Sequence, residues 1–321
     1  MATNAATFAL RRRRIRGRFG DRALYALTGA AAAAVLALVG ALVYELVKQA
    51  WPAITHFGLG FVTSRAWDPV KNSFGALDFI YGTALSSLVA LLIAAPLSIA
   101  IALFLSELAP RGIRGVVGAL VEMLAAIPSV VVGLWGIFVL APFLKDRVNP
   151  FLHAHLGFIP LFGGDPSNGN NYFTASLVLT IMVIPITASI ARELFLGVPR
   201  ELEEGAVALG MTRWEMIKGV VLPYTRGGVA AAVILGLGRA VGEAIAVTQV
   251  IGGTLGIHAS LFRTGDTLAS RIAAQYQGAA TKIQVASLVY LALILLAISL
   301  VVNVVAQLIV KRFEFQRVGG D

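Results

Sequence analysis

Arg239 and Glu243 are the residues of this chain best placed to act on a ligand, being opposite charges four positions apart inside a long apolar run. Positions i and i+4 share a helix face, so the two can pair and lower the cost of inserting charge into a membrane. That cost is at least about 2.5 kcal/mol for an Arg at the centre of a membrane helix. One reading of the pair is structural. The other is that its face lines a translocation path, where a planar guanidinium offers two parallel hydrogen bonds to a passing oxyanion. Glu243 would keep Arg239 paired when no anion is present and prevent over-tight binding, since a conduit must release what it holds. Thr248 and Gln249 carry the polar character outward and suit neutral hydrogen bonds, to a ligand or between helices.

Other chemistries find little support. The chain has no cysteine, which removes disulfides, thiolate metal sites and Cys nucleophiles. His153 and His155 have no acidic cluster near them in sequence, so no metal is expected. No Gly is followed by Lys, so the phosphate-cradling loop of an ATPase is missing and no cofactor is expected in this chain. Gly236, Gly238 and Gly242 imitate a dinucleotide loop but sit in an apolar helix with no strand before them, and read as close-packing positions.

The elements that must hold these residues are membrane helices. Of 321 residues 58% are hydrophobic and only 13% charged, with a mean hydropathy of +0.82, against about 25% charged in soluble domains. A membrane helix needs about 20 apolar residues. Six stretches qualify, near Leu24–Val47, Phe79–Leu105, Val116–Leu140, Phe173–Phe195, Gly228–Gly252 and Val285–Val310. The block Arg11, Arg12, Arg13, Arg14, Arg16, Arg18 and Arg22 stays on the cytoplasmic side, because basic flanks resist translocation. Both termini are then cytoplasmic, with Lys311, Arg312 and Arg317 following the last span. On this topology 17 of the 26 Lys and Arg lie inside and eight outside, with Arg239 alone within a span. The net charge of +9 therefore reflects orientation in a lipid membrane and not nucleic-acid binding. The organisation is a basic segment 1–23, a first helix and outer loop 24–78, a core 79–310 and a tail 311–321. Pro96, Pro128 and Pro185 should kink helices two, three and four, and Glu122 either snorkels or meets a basic neighbour.

Inner connections are short except 197–227. There Glu204, Gly205, Ala206 and Gly210 precede Met211, Trp214 and Ile217, and then Leu222 and Pro223. Helical spacing places Trp214 with Met211 and Ile217 on one side of a short amphipathic helix that begins after a turn at Gly210 and ends at Leu222 and Pro223. An interfacial helix lying among headgroups is the plain alternative. The order Glu, small, Ala, three residues, Gly, nine residues, aliphatic, one residue, Leu, Pro resembles the EAA signature of ABC-importer permeases, with Gly205 for the second Ala and Val220 for the Ile. The resemblance implies a coupling helix seated in a cleft of a separate ATPase.

Further stretches resemble the phosphate-specific importer permeases of the PstC type. They are Trp67, Asp68 and Pro69 with Phe74, Gly75, Tyr81, Gly82 and Thr83; Ile127, Pro128 and Ser129 through Gly133, Leu134, Trp135 and Gly136; and Gly238 through Glu243. The resemblance implies an all-α, six-helix permease of MetI-like architecture in a bacterial cytoplasmic membrane. It also implies a homologous second permease, two ATPase subunits that bind ATP and Mg, an extracytoplasmic phosphate-binding protein, and Arg239 and Glu243 on the phosphate path. Sulfate, molybdate or another oxyanion is the alternative cargo, and a self-contained secondary transporter the alternative class.

Overall fold

The computed structural model describes the backbone of residues 3–318 and side chains from residue 20 to 310, apart from 111 and 309. The side chains of Arg11 to Arg18 and of Lys311 to Arg317, on which the topology reading leaned, lie outside the described residues. In chain order the elements are α1 (Thr3–Phe57), α2 (Gly60–Thr63), β1 (Trp67–Asp68), β2 (Ser73–Phe74), α3 (Leu77–Leu103), α4 (Arg111–Ala125), α5 (Ser129–Trp135), α6 (Ala141–Phe143), α7 (Asn149–Leu156), α8 (Tyr172–Leu196), α9 (Arg200–Ala208), α10 (Arg213–Met216), α11 (Leu222–Gly242), α12 (Ile245–Val250), α13 (Leu268–Gln275) and α14 (Lys282–Val318). Six helical stretches are long and apolar enough to cross a membrane: Gly20–Phe57, Leu77–Leu108, Ser129–Leu156, Tyr172–Leu196, Arg213–Gly242 and Lys282–Leu308. The architecture is α-helical, relieved by one antiparallel ribbon pairing Trp67 with Phe74 and Asp68 with Ser73. Its turn is closed by the Asp68 carboxylate, which accepts the backbone N–H groups of Val70 and Lys71.

The third crossing differs from the expected Val116–Leu140. Pro128 does not kink it. Instead α4 ends at Ala125, and Pro128 stands as the residue before a new helix beginning at Ser129. The crossing then continues well past Leu140, so much of the expected outer loop 142–172 is helical, including His153 and His155 on α7. Wide π-type turns make this continuation possible. They occupy Gly136–Leu140, Leu144–Val148 and Ile217–Val221, each ending two residues before a proline: Pro142, Pro150 and Pro223. A proline in a regular α-helix loses one bond and drives its ring into the carbonyl four residues back. Closing the preceding turn with an i to i+5 bond moves that carbonyl aside and lets the helix run on. Read from sequence, the same prolines look like ends, which is why Leu222 and Pro223 are expected to terminate the loop helix when in fact they lie within a continuous Arg213–Gly242 rod.

The centre of the bundle is α8, whose most apolar window is 67% buried, against none of that of α1. Small and hydroxylated residues on α8 permit close approach. Ser176, Thr180 and Thr187 are fully or nearly fully buried, and Thr180 donates to its own helix at Ser176 O and across to Ala90 O on α3. Gly236 of α11 meets α8 so tightly that a Cβ there would lie 2.6 Å from Thr187 Oγ1 and 2.8 Å from Val183 Cγ1. Gly238 and Gly242, grouped with it in the sequence reading, have nothing within 4 Å and are not packing positions within this chain. Gly236→Leu should therefore cost about 1–3 kcal/mol of stability by overpacking, whereas Gly238→Ala should change stability by less than about 1 kcal/mol. Thermal unfolding of the detergent-solubilised protein tests both, and equal effects would mean that α11 does not pack on α8 through Gly236.

Candidate functional site

The fifth crossing carries both candidate regions, Arg239 near one end and the inner loop at the other. α11 ends at Gly242, and Glu243 leaves it with an extended backbone (ψ 118°) before α12 begins at Ile245. The expected unbroken helix Gly228–Gly252 is thus two helices, and Arg239 stands in the last turn of the first, not at mid-helix. A cation there meets the negative end of the helix dipole and the unpaired final carbonyls. Glu243 has a second duty besides the i+4 pairing expected: its Oε1 accepts the N–H of Ala246 at 3.3 Å, in the first turn of α12. Its Oε2 is 4.0 Å from Arg239 Nη2, at the limit of an ion pair, with the Arg239 side chain 39% exposed and that of Glu243 only 8%. The carboxylate is fixed, and the guanidinium is only loosely held by it.

Thr248 and Gln249 are placed elsewhere. Thr248 donates to Ala244 O at 2.6 Å in its own helix and approaches Ser270 O on α13 at 3.4 Å. Gln249 lies against α5, where a Cβ on Gly133 would be 2.9 Å from Ala246 Cα and 3.0 Å from Gln249 Cδ. Its Oε1 is buried without a hydrogen-bond partner among the described residues. Gly133 and Gly136 of the Gly133 to Gly136 stretch are therefore the flat surface on which α12 sits, Gly136 meeting Val250 and Val178.

In the inner loop, α9 ends before Gly210, whose φ of +84° is a left-handed conformation suited to glycine. Thr212 then starts α10 with a reciprocal cap: its hydroxyl accepts the Glu215 N–H, and the Glu215 carboxylate accepts the Thr212 N–H at 2.8 Å. The expected face is corrected here. Trp214 is 66% exposed while Ile217 and its neighbour Met216 are buried, and Met211 is half-buried. The inward side of the loop, Ala206 with Met216, Ile217 and Val221, packs on Ala191, Phe195 and Val198. The outward side presents Trp214, Leu202, Val207 and Leu209 to solvent. Glu204 and Gly205 are exposed beside it, and Glu203, half-buried near Glu107, has its pKa raised by burial and by that second carboxylate. Glu122 does meet a basic neighbour, Arg192, at 3.4 Å.

Sequence reasoning missed the best-formed electrostatic feature. Arg271 and Asp266, treated only as outer-loop charges or not at all, form a buried pair with Nε to Oδ2 at 2.7 Å. The guanidinium lies 4.9 Å from the Phe79 ring centroid and 5.8 Å from that of Trp67, and donates to Gly253 O at 3.1 Å. Burial raises the Asp266 pKa against the pull of Arg271, and lowers that of Arg271 against the pull of Asp266. The first group of residues quoted for the resemblance, Trp67 to Thr83, lies around this pair. Trp67 Nε1 donates to Gln275, Tyr81 Oη donates to His258 O, and Thr83 Oγ1 accepts the Leu268 N–H. Gly82 leaves room for the backbone of Asp266. The sequence signal for the pair, had it been weighed, was Thr267 and Ser270 as a helix-capping pair between Asp266 and Arg271.

The family described as binding-protein-dependent transport system inner membrane component matches residues 94–315. The chain is 43% identical over 298 residues to the phosphate transport system permease protein PstC of Mesorhizobium japonicum, covering 92% of this chain and 91% of that protein. It is 44% identical over 291 residues to the PstC protein of Xylella fastidiosa, covering 90% and 89%, and 43% identical over 284 residues to that of Pasteurella multocida, covering 87% and 88%. Among solved structures, the inward-facing MetNI methionine ABC transporter aligns with a TM-score of 0.54 at 17% identity, over 73% of this chain and 94% of that one, a likeness of fold alone.

Removing one member of the buried pair leaves the other charged and unpartnered, so Arg271→Met or Asp266→Asn alone should cost about 3–5 kcal/mol. Replacing both together should cost less than either single change. A double-mutant cycle on the unfolding of the purified protein measures this, and simple additivity would show that the two side chains are not coupled.

Proposed function

The chain belongs to the family of binding-protein-dependent transport system inner membrane components, and from that premise we propose that it is the permease subunit of an ATP-driven importer of inorganic phosphate. It is a multi-pass membrane protein of the MetI-like fold. The observation that carries the cargo is agreement between relatives named for phosphate transport, 43–44% identical over about nine-tenths of the chain, and an exposed Arg at the end of a broken membrane helix. The relatives described above are named for phosphate transport and not for sulfate or molybdate, and the secondary-transporter alternative leaves the inner loop without a task.

In this reading Arg239 receives the phosphate oxyanion. The guanidinium supplies two parallel donors, and Glu243 is close enough to compete for it but, being committed to Ala246, does not neutralise it. Weak competition of this kind suits a path that must let go. Thr248 and Gln249 support the site by fixing α12 against α13 and α5. The exposed side of the loop, Trp214 with Glu204, Gly205, Gly210 and Met211 around it, docks on a separate ATPase subunit, while Ile217, Leu222 and Pro223 join that surface to α11. ATP and Mg are bound in two copies of that partner. A homologous second permease completes the path, and an extracytoplasmic phosphate-binding protein delivers the cargo to the end of the molecule where α13 and the ribbon lie. Both termini are cytoplasmic, in the inner membrane of a bacterium.

ATP-dependent uptake of labelled phosphate into proteoliposomes holding the complete complex tests this, with excess sulfate as competitor. A lost charge-assisted bidentate contact is worth about 1.5–3 kcal/mol, so Arg239→Ala should reduce uptake roughly 10- to 100-fold at unchanged assembly. Arg239→Lys should recover part of it. Normal transport by Arg239→Ala would remove Arg239 from the path, and uptake of sulfate in place of phosphate would overturn the cargo.

A further inference from the structure

Arg213–Gly242 is one helical rod of 30 residues, with Trp214 at its inner end and Arg239 near its outer end. Its inward face is continuous: Met216, Ile217, Val221, Thr225, Val229, Ala232, Gly236 and Ala240 are all buried. That continuity does not follow from α-helical geometry. At about 100° per residue, Met216 would lie about 140° around the axis from Val221, on the far side of the rod. The wide turn Ile217–Val221 takes one residue more than a regular turn and swings α10 back until Met216 and Ile217 both face the core of the loop. Trp214, two residues before Met216, is thereby turned outward. Pro223 removes the incentive to straighten the turn, because it has no N–H with which to make the α-helical bond. Gly219 stands inside the turn with only the flexible end of Met211 near it, 3.2 Å from where a Cβ would be.

We propose that this wide turn is a positioning element that sets the rotational phase between the ATPase-facing surface around Trp214 and the Arg239 end of the same rod. What matters for transmission is then the rotational phase that the residues between Trp214 and Leu222 set, not their identity. This rests on the reading of the inner loop as the ATPase-docking surface. A push received at Trp214 rotates or translates α11 as a unit, and the direction in which Arg239 moves is fixed by the phase between the two ends of the rod.

The readout is phosphate imported per ATP hydrolysed in proteoliposomes of the complete complex, which a merely structural role would not move. Inserting one Ala after Gly219 turns Trp214 by about 100° relative to Arg239, and should lower the ratio at least ten-fold while the ATPase still co-purifies. Gly219→Ala keeps the count and should stay within about two-fold of native. Deleting Gly219 together with Pro223→Ala permits a regular helix whose inner face lies within about 30° of the native one, and should retain at least half the native ratio. The proposal is overturned if the insertion leaves the ratio intact, if the deletion variant assembles but uncouples, or if neither variant assembles, since the turn is then only part of the fold. If the native complex itself imports no phosphate with ATP, the importer reading fails and the turn is not at fault.

Discussion

The guanidinium of Arg271 is the point on which the outer half of the molecule hangs. It is buried with Asp266 between the rings of Phe79 and Trp67 and reaches Gly253 O. Those contacts join α3, the ribbon, α13 and the irregular segment after α12, four pieces distant in sequence. Irregular backbone near a membrane is tolerated only where protein satisfies its polar groups. Here they are satisfied: Gly265 N–H donates to Ile251 O, Leu261 N–H to Leu161 O, and Tyr172 and Phe173 donate back to Arg263 O and Leu261 O. A charge pair is a costly way to hold such a cap, since its desolvation offsets much of its attraction. Its return is direction: an ion pair with one set of partners admits one arrangement of the cap, where an apolar plug would admit several.

That fixed cap is what allows the fifth crossing to break at Glu243 without fraying. α12 is clamped on one side by Gly133 of α5 and Gly136 of the wide turn after it, and on the other by the hydrogen bonds of Thr248. The break supplies a buried carboxylate and, one turn earlier, an exposed guanidinium at the limit of its reach. The two charges lower each other's insertion cost without cancelling, which is the electrostatic condition for a residue that must exchange an internal partner for a passing one.

Much of this was legible in the sequence, and the failures have physical reasons. That there are six crossings, with the inner loop between the fourth and the fifth, follows from hydropathy alone, because burial in lipid is a one-dimensional property of a stretch. Tertiary facing is not. Trp214 was placed with Ile217 by counting 3.6 residues per turn, and the extra residue of the wide turn, invisible to such counting, reverses it. Pro142 and Pro223 read as boundaries because a single proline normally is one, until a wide turn precedes it. Glu243 looked like the partner of Arg239 alone because both were assigned to one helix; the break gives it a second partner in the Ala246 N–H. The Asp266 and Arg271 pair escaped notice because its environment is assembled from Trp67 and Phe79, some 200 positions away.

One further consequence belongs to α1. Between residues 20 and 57 it is buried only at Ala50 and Ala53, where it leans on the rest of the chain near its outer end. The family match begins at residue 94, beyond it. α1 runs along α14 but buries almost none of its own side chains, and its Ala30 to Ala34 run suits a helix whose surface faces lipid. The side chains of residues 20–49 therefore meet the bilayer or a partner chain, and the packing from α3 to α14 keeps its geometry without them.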